Sequence, residues 1–220
     1  HDNIVPIYKY GVLDGSTLFY AMRLIKGMSF STMLKRQRFS PQAYWHILKP
    51  VTEALAFGHE QGVVHRDIKP DNIFVEKQDG AQKVFLGDFG LGKRKGVDVT
   101  LTEADAIIGT PHYMSPESIM GERHDKRSDI YSLAVVSYEA LIGMVPFNEE
   151  HAHQTAIAHV TQPPPPPSNL NPNFPPILEQ WLMKGLMKSA DDRHQNIAEF
   201  IQEYEDALSN MSEEARNTDY

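Results

Sequence analysis

A helix-rich α+β fold is the prediction for this chain, and three observations carry it. Strand-like runs are gathered into two hairpin pairs, over residues 4–22 and 71–86. From Ile130 to Ile142, ten of thirteen residues are apolar and lie on every side of a helical wheel, the pattern of a helix enclosed on all sides. Thirteen residues are too few to cross a bilayer, so a buried central helix is expected. Amphipathic spacing recurs before and after it.

In chain order, residues 4–10 (IVPIYKY) and 17–22 (TLFYAM) are β-branched and aromatic runs joined through Asp14-Gly15, which reads as an antiparallel pair. Two strands alone make a poor sheet. Ser40-Pro41 supplies an N-cap and a first-turn proline. Tyr44, Ile47, Leu48, Val51 and Leu55 then recur at helical spacing as far as Gly62. Segments 71–76 and 82–86 flank Gln78-Asp79-Gly80 and predict a second hairpin. Charged loops at 65–72 and 88–90 lie on either side of it. The proline run from Pro163 reads either as a polyproline ligand or, more plainly, as a stiff loop between helices. Two further amphipathic helices are expected over 177–188 and 194–210, the second presenting Ile197, Phe200, Ile201, Tyr204 and Leu208 on one face.

Composition narrows the function classes. At 220 residues the chain can bury a sizeable core, while the domain count stays open. A net charge of −8 with scattered Lys and Arg argues against nucleic acid as a partner. No run is long and apolar enough for direct membrane contact by this segment to be expected. The absence of cysteine excludes a disulfide scaffold and thiolate metal sites, and a reducing cytoplasm is the expected setting. Oligomeric state is not readable.

Chemistry concentrates in Val63–Val75, VVHRDIKPDNIFV, which packs Asp67, Lys69 and Asn72 into six residues between apolar runs. Phosphoryl transfer from a nucleotide needs such a set: a carboxylate for the attacking hydroxyl's proton, a cation on the moving phosphoryl group and an amide oxygen at the metal. Singly, each residue is an ordinary loop residue, an Asp or Asn bonding its own backbone or a solvated Lys. Jointly they are not. Gly87-Asp88-Phe89-Gly90 follows at a strand end, where an acid can hold a divalent cation while glycine lets the backbone turn. Two more elements complete the series, Gly109-Thr110-Pro111-His112-Tyr113-Met114-Ser115-Pro116-Glu117 and Asp129-Ile130-Tyr131-Ser132.

With these four elements in this order the chain resembles the eukaryotic-like Ser/Thr protein kinases, above all their bacterial members. The resemblance covers essentially all 220 residues. It implies a protein-kinase-like fold with residues 1–22 as the last two strands of the small lobe, 23–27 as the hinge, 28–210 as the helical large lobe and 211–220 as a linker. It implies ATP and Mg2+, with protein substrates phosphorylated on Ser or Thr. Asp67 would be the catalytic base, Lys69 the γ-phosphate contact, Asn72 and Asp88 the metal ligands, and Thr110 a bond to Asp67 and Lys69. Met22 would be the gatekeeper; Arg23, Leu24 and Ile25 would offer hinge backbone to adenine, with Phe74 beneath the ring. Structural roles follow too: Glu117 paired with Arg193, His65 and Phe89 stacked with Ile7, and Asp129 anchoring the catalytic loop. Thr102, then Thr100, would be activating phosphorylation sites read by Arg66.

Ser115, Ala134 and His194 depart from the family pattern without touching the reaction. The 220 residues contain no G-x-G-x-x-G followed by a strand lysine. The chain is therefore expected to be an incomplete catalytic domain, weak in ATP binding and inactive alone, with any membrane anchor of its parent outside it. A kinase-fold scaffold is the alternative. It has no physical need for Asp67, Lys69, Asn72 and Asp88 together. A metal-dependent phosphatase would explain the acids but not Lys69 or residues 109–117.

Overall fold

The computed structural model describes residues 1–78, 80–89 and 111–220. Strands β1 (Ile7–Leu13) and β2 (Thr17–Met22) form an antiparallel ribbon. Asp14 and Gly15 turn it, both at positive φ (50° and 73°), as a tight hairpin requires. The first strand begins later than its sequence suggests, because residues 3–5 bond elsewhere. Val5 N donates to Leu86 O at 2.9 Å and Leu86 N to Asn3 O at 2.7 Å. Pro6 has no N–H to offer a ladder.

Beyond the ribbon, β3 (Gly27–Ser29) leads into α1 (Phe30–Leu34), whose first turn is capped by the Ser29 hydroxyl. Ser40 caps the long α2 (Pro41–Glu60) in the same way, accepting from Ala43 N at 3.3 Å. A 3-10 turn at Pro70–Asn72 delays the second hairpin, so its strands are β4 (Ile73–Gln78) and β5 (Ala81–Leu86). Strand β3 joins them in a sheet ordered β3-β4-β5, all pairs antiparallel.

Among the described residues the remaining α-helices are α3 (Pro116–Ile119), α4 (Lys126–Ile142), α5 (Ala152–Thr161), α6 (Pro167–Leu170), α7 (Pro176–Gly185), α8 (Ile197–Asn210) and α9 (Glu213–Asn217). As its all-round apolar pattern predicts, α4 is buried nearly throughout. Asp125 caps its start and Gly143, at φ 89°, ends it. Each fully buried aliphatic side chain, such as Ile130, Leu133 or Val136, contributes roughly 1.5–3 kcal/mol. Aromatic contacts tie its neighbours: Trp181 lies 4.6 Å from both Phe200 and Tyr204, and Tyr44 bonds Ser137 at 2.8 Å. The proline run packs as a brace, with Pro164 and Pro167 buried and Tyr138 donating to Pro165 O at 3.0 Å. Past residue 210 the chain forms α9 and sets Tyr220 against Phe174 at 5.4 Å.

Candidate active site

The loop after α2 is shaped from below by one buried acid. Asp129, in the first turn of α4, accepts from His65 N and Arg66 N at 2.8 Å each, and its Oδ2 also takes His59 Nε2 at 2.8 Å. Arg66 sits in the left-handed region at φ 68°. A non-glycine residue held there costs about 1–3 kcal/mol and persists where neighbours over-determine it. The two amide bonds to Asp129 do that. The consequence is that Asp67, next in the chain, is turned outward.

His65 joins this loop to the second hairpin. Gly87 O can only accept, so His65 Nε2 donates to it at 2.8 Å, and Nδ1 accepts from Asp67 N at 3.3 Å. That tautomer is neutral. Burial holds the imidazole below its ordinary pKa, outweighing the upward pull of Asp129. Phe89 stands edge-on to His65 at 4.9 Å, over Gly58 of α2, where a Cβ would collide with its ring.

The predicted trio converges. Lys69 Nζ lies 2.8 Å from Asp67 Oδ2, and Asn72 Nδ2 donates to Asp67 O at 2.8 Å and to Oδ2 at 3.0 Å. Both partners of the Asn72 amide nitrogen are acceptors, which fixes its orientation and leaves Oδ1 turned away. Among the described residues, neither Asn72 Oδ1 nor Asp67 Oδ1 carries a hydrogen bond. Gly87 N bonds Asn72 O at 2.8 Å, which sets Asp88 next to this group. Asp88 itself is left-handed, at φ 56°, and its Oδ1 accepts from Tyr20 OH at 2.9 Å.

The hinge-side residues are arranged differently. Met22 is 41% exposed at the end of β2. Arg23 is engaged twice, its N–H by Pro6 O at 2.9 Å and its guanidinium by Glu76 at 2.6 Å, over the Phe85 ring. Glu76 also accepts from Lys26 N at 2.9 Å. Ile25 and Phe74 are half-buried, and Phe74 leaves no room for a Cβ on Gly87. Thr110, Thr100 and Thr102 lie outside the described residues.

Beneath the site, Arg193 and Glu117 form a two-pronged pair at 2.8 and 2.9 Å, and Ser128 donates to Glu117 at 2.7 Å. Burial pushes the Glu117 carboxyl up, but Arg193 and Ser128 together hold it below its ordinary pKa. Tyr113 reaches α4 nearer its C-terminal end, donating to Glu139 at 2.7 Å. Sequence reasoning missed Tyr20, His59 and Glu76, whose partners lie 68, 70 and 53 residues away.

A mainly helical body with a buried central helix, and an acid, a lysine and an amide gathered at its strand ends, define the class: a protein kinase catalytic fold. Residues 1–210 match the family model for the protein kinase domain, and the chain belongs to that family. Bacterial kinases are among its relatives. Serine/threonine-protein kinase Pkn1 of Myxococcus xanthus is 36% identical over 210 residues, 95% of this chain and 30% of that protein. Serine/threonine-protein kinase PknD of Mycobacterium tuberculosis is 36% identical over 218 residues, 98% of this chain and 32% of that protein. The chain thus spans about a third of the length of these curated relatives. The kinase domain of Mycobacterium tuberculosis PknI shares the fold, with a TM-score of 0.75 at 24% identity, covering 94% of this chain and 72% of that one. No helix among the described residues is long and apolar enough to cross a membrane.

Proposed function

We propose that this chain carries the substrate-side half of an active serine/threonine kinase site, which moves the γ-phosphate of ATP to Ser and Thr hydroxyls of proteins. The observation that supports it best is the division of labour within Asp67. Its Oδ2 holds Lys69 and Asn72, while Oδ1 is open among the described residues.

An incoming hydroxyl gives its proton to Asp67 Oδ1 as its oxygen bonds to the γ-phosphorus. The bond from that phosphorus to the bridging oxygen breaks, and ADP leaves with the electron pair. Lys69 is tethered to Asp67 by one of three ammonium protons and turns the others to the phosphoryl oxygens. Thr110 would hold the acceptor hydroxyl in register. Asn72 Oδ1 and the Asp88 carboxylate are hard oxygen donors on adjacent strand ends, a set that fits Mg2+. When bound, Mg2+ neutralises phosphate oxygens of ATP. For adenine, Phe74 and the backbone at Met22, Arg23 and Ile25 are the candidate contacts. The Arg23 side chain is already committed to Glu76.

The test is phosphotransfer from γ-labelled ATP to a Ser/Thr-containing protein acceptor, using protein expressed from the complete open reading frame that encodes this chain. Asp67→Asn keeps the shape and an amide oxygen for Lys69 and Asn72, but puts an amide nitrogen that cannot take a proton at the open position, so transfer should fall by about 10²–10⁴. Transfer near the unmodified rate would overturn the assignment.

A further inference from the structure

We propose that Tyr20 is a positioning residue for Asp88: its hydroxyl, reaching over from β2, fixes which carboxylate oxygen stays open for a divalent cation. The inference rests on the reading of Asp88 as a metal ligand given above.

The two described chain neighbours of Asp88 are pinned. Before it, Gly87 N and O are bonded to Asn72 O and His65 Nε2, both at 2.8 Å. After it, Phe89 is seated over Gly58 against His65. These anchors hold the left-handed backbone at φ 56° but leave the carboxylate free to swing about its own torsions. Among the described residues its one hydrogen-bond partner is Tyr20, at 2.9 Å from Oδ1. Among these residues Oδ2 has none.

The chemistry of the partner matters as much as the distance. Asp67 is balanced by a lysine ammonium at 2.8 Å. Asp88 is held by a neutral phenol, which orients the carboxylate without cancelling its charge. The two acids of the site are thereby given different work: one is tethered beside a cation, the other keeps a full negative charge to attract one. A neutral donor that orients a ligating group from behind typically changes metal affinity by about 10–100-fold. Tyr20 stands on the ribbon and Asp88 at the end of the β4–β5 hairpin, so this bond also ties the ribbon to the metal-binding acid.

The experiment titrates Mn2+ into the protein from the complete open reading frame, with ADP present, and counts free Mn2+ by electron paramagnetic resonance. Three proteins are compared: unmodified, Tyr20→Phe and Tyr8→Phe. Each phenylalanine keeps its ring, and Tyr8, 69% exposed on β1, controls for loss of a ribbon hydroxyl. Tyr20→Phe should weaken Mn2+ binding by about tenfold, with metal-free ADP binding unchanged and Tyr8→Phe indistinguishable from the unmodified protein. Unchanged or tighter Mn2+ binding by Tyr20→Phe overturns the inference while leaving Asp88 as a ligand. An unmodified protein that binds ADP but no Mn2+ overturns the metal reading itself, and this inference with it.

Discussion

The helical body and the β1–β2 ribbon are built by opposite means. In the body, α2, α4, α7 and α8 bury aromatic and aliphatic side chains around one another, and the polar groups they enclose are mostly paired: Asp129 with three donors, Glu117 with Arg193 and Ser128. The ribbon exposes its apolar residues, with Tyr10 at 84% and Leu18 at 65%. Among the described residues few bonds tie it to the body: Asn3 and Val5 to Leu86 just before it, the Arg23–Glu76 pair just after it, and Tyr20 to Asp88. The candidate reaction groups Asp67, Lys69 and Asn72 all stand on the body, and the adenine-side candidates Met22 and Arg23 stand at the ribbon's end. On the proposed function, positioning for chemistry would come from a packed scaffold, and nucleotide-side contact from an element tied to it by few hydrogen bonds among the described residues.

The comparison breaks first at Glu117. Removing one partner of a buried ion pair strands the other, at a cost of about 3–5 kcal/mol. Glu117→Ala should therefore lower the urea midpoint of the body by a corresponding amount, because Arg193 is fully buried. A shift under about 1 kcal/mol would mean that the pair adds little to the scaffold.

Acid should separate the regions next. His65, His194 and His159 are buried, and desolvation lowers all three, His159 to about 3. In the unfolded chain each protonates near 6.5, so the unfolded state binds more protons below that pH. The stability these groups contribute is complete above 6.5 and is lost as pH falls towards their folded values. For His159 alone the loss between pH 6.5 and 5 is about 2 kcal/mol. Glu117, held low by Arg193, adds its own loss below the ordinary carboxylate range. Denaturation curves at pH 7 and 5 should show the drop, and His159→Gln should flatten it.

The smallest effect belongs to the ribbon. Tyr10→Thr replaces an exposed aromatic on β1 and should change the body's unfolding free energy by no more than about 0.5 kcal/mol. A larger change would make the ribbon part of the core.

What was legible in the sequence follows the same divide. Asp67, Lys69 and Asn72 converge because six residues of one loop carry them, and short-range order suffices to bring them together. The α4 helix announced itself by apolar residues on every face, and α2 by Ser40, Pro41 and regular spacing. Residues 28–39 and 152–161 carry no comparable signal. Strand β3 is three residues long, and α5 begins after His151 with Ala, Thr and His in place of a clear apolar stripe. Tyr20, His59 and Glu76 were invisible because each acts on a residue distant in sequence, and a single strand or helix pattern does not encode its partner. The Arg23 guanidinium, taken by Glu76 and Phe85, is another long-range contact that no local pattern encodes.

If the body presents Asp88 and Asp67 for phosphoryl transfer, Asp88→Asn tests it with the fewest side effects. Asparagine tolerates the left-handed backbone at φ 56° better than most residues and can still accept from Tyr20, so the fold should keep its melting temperature. What it lacks is the charge. Transfer from ATP by the protein from the complete open reading frame should fall by about 10²–10³ or more, the usual cost of losing one preorganised charge contact. An Asp88→Asn protein that transfers phosphate at the unmodified rate, with stability likewise unchanged, would contradict the account.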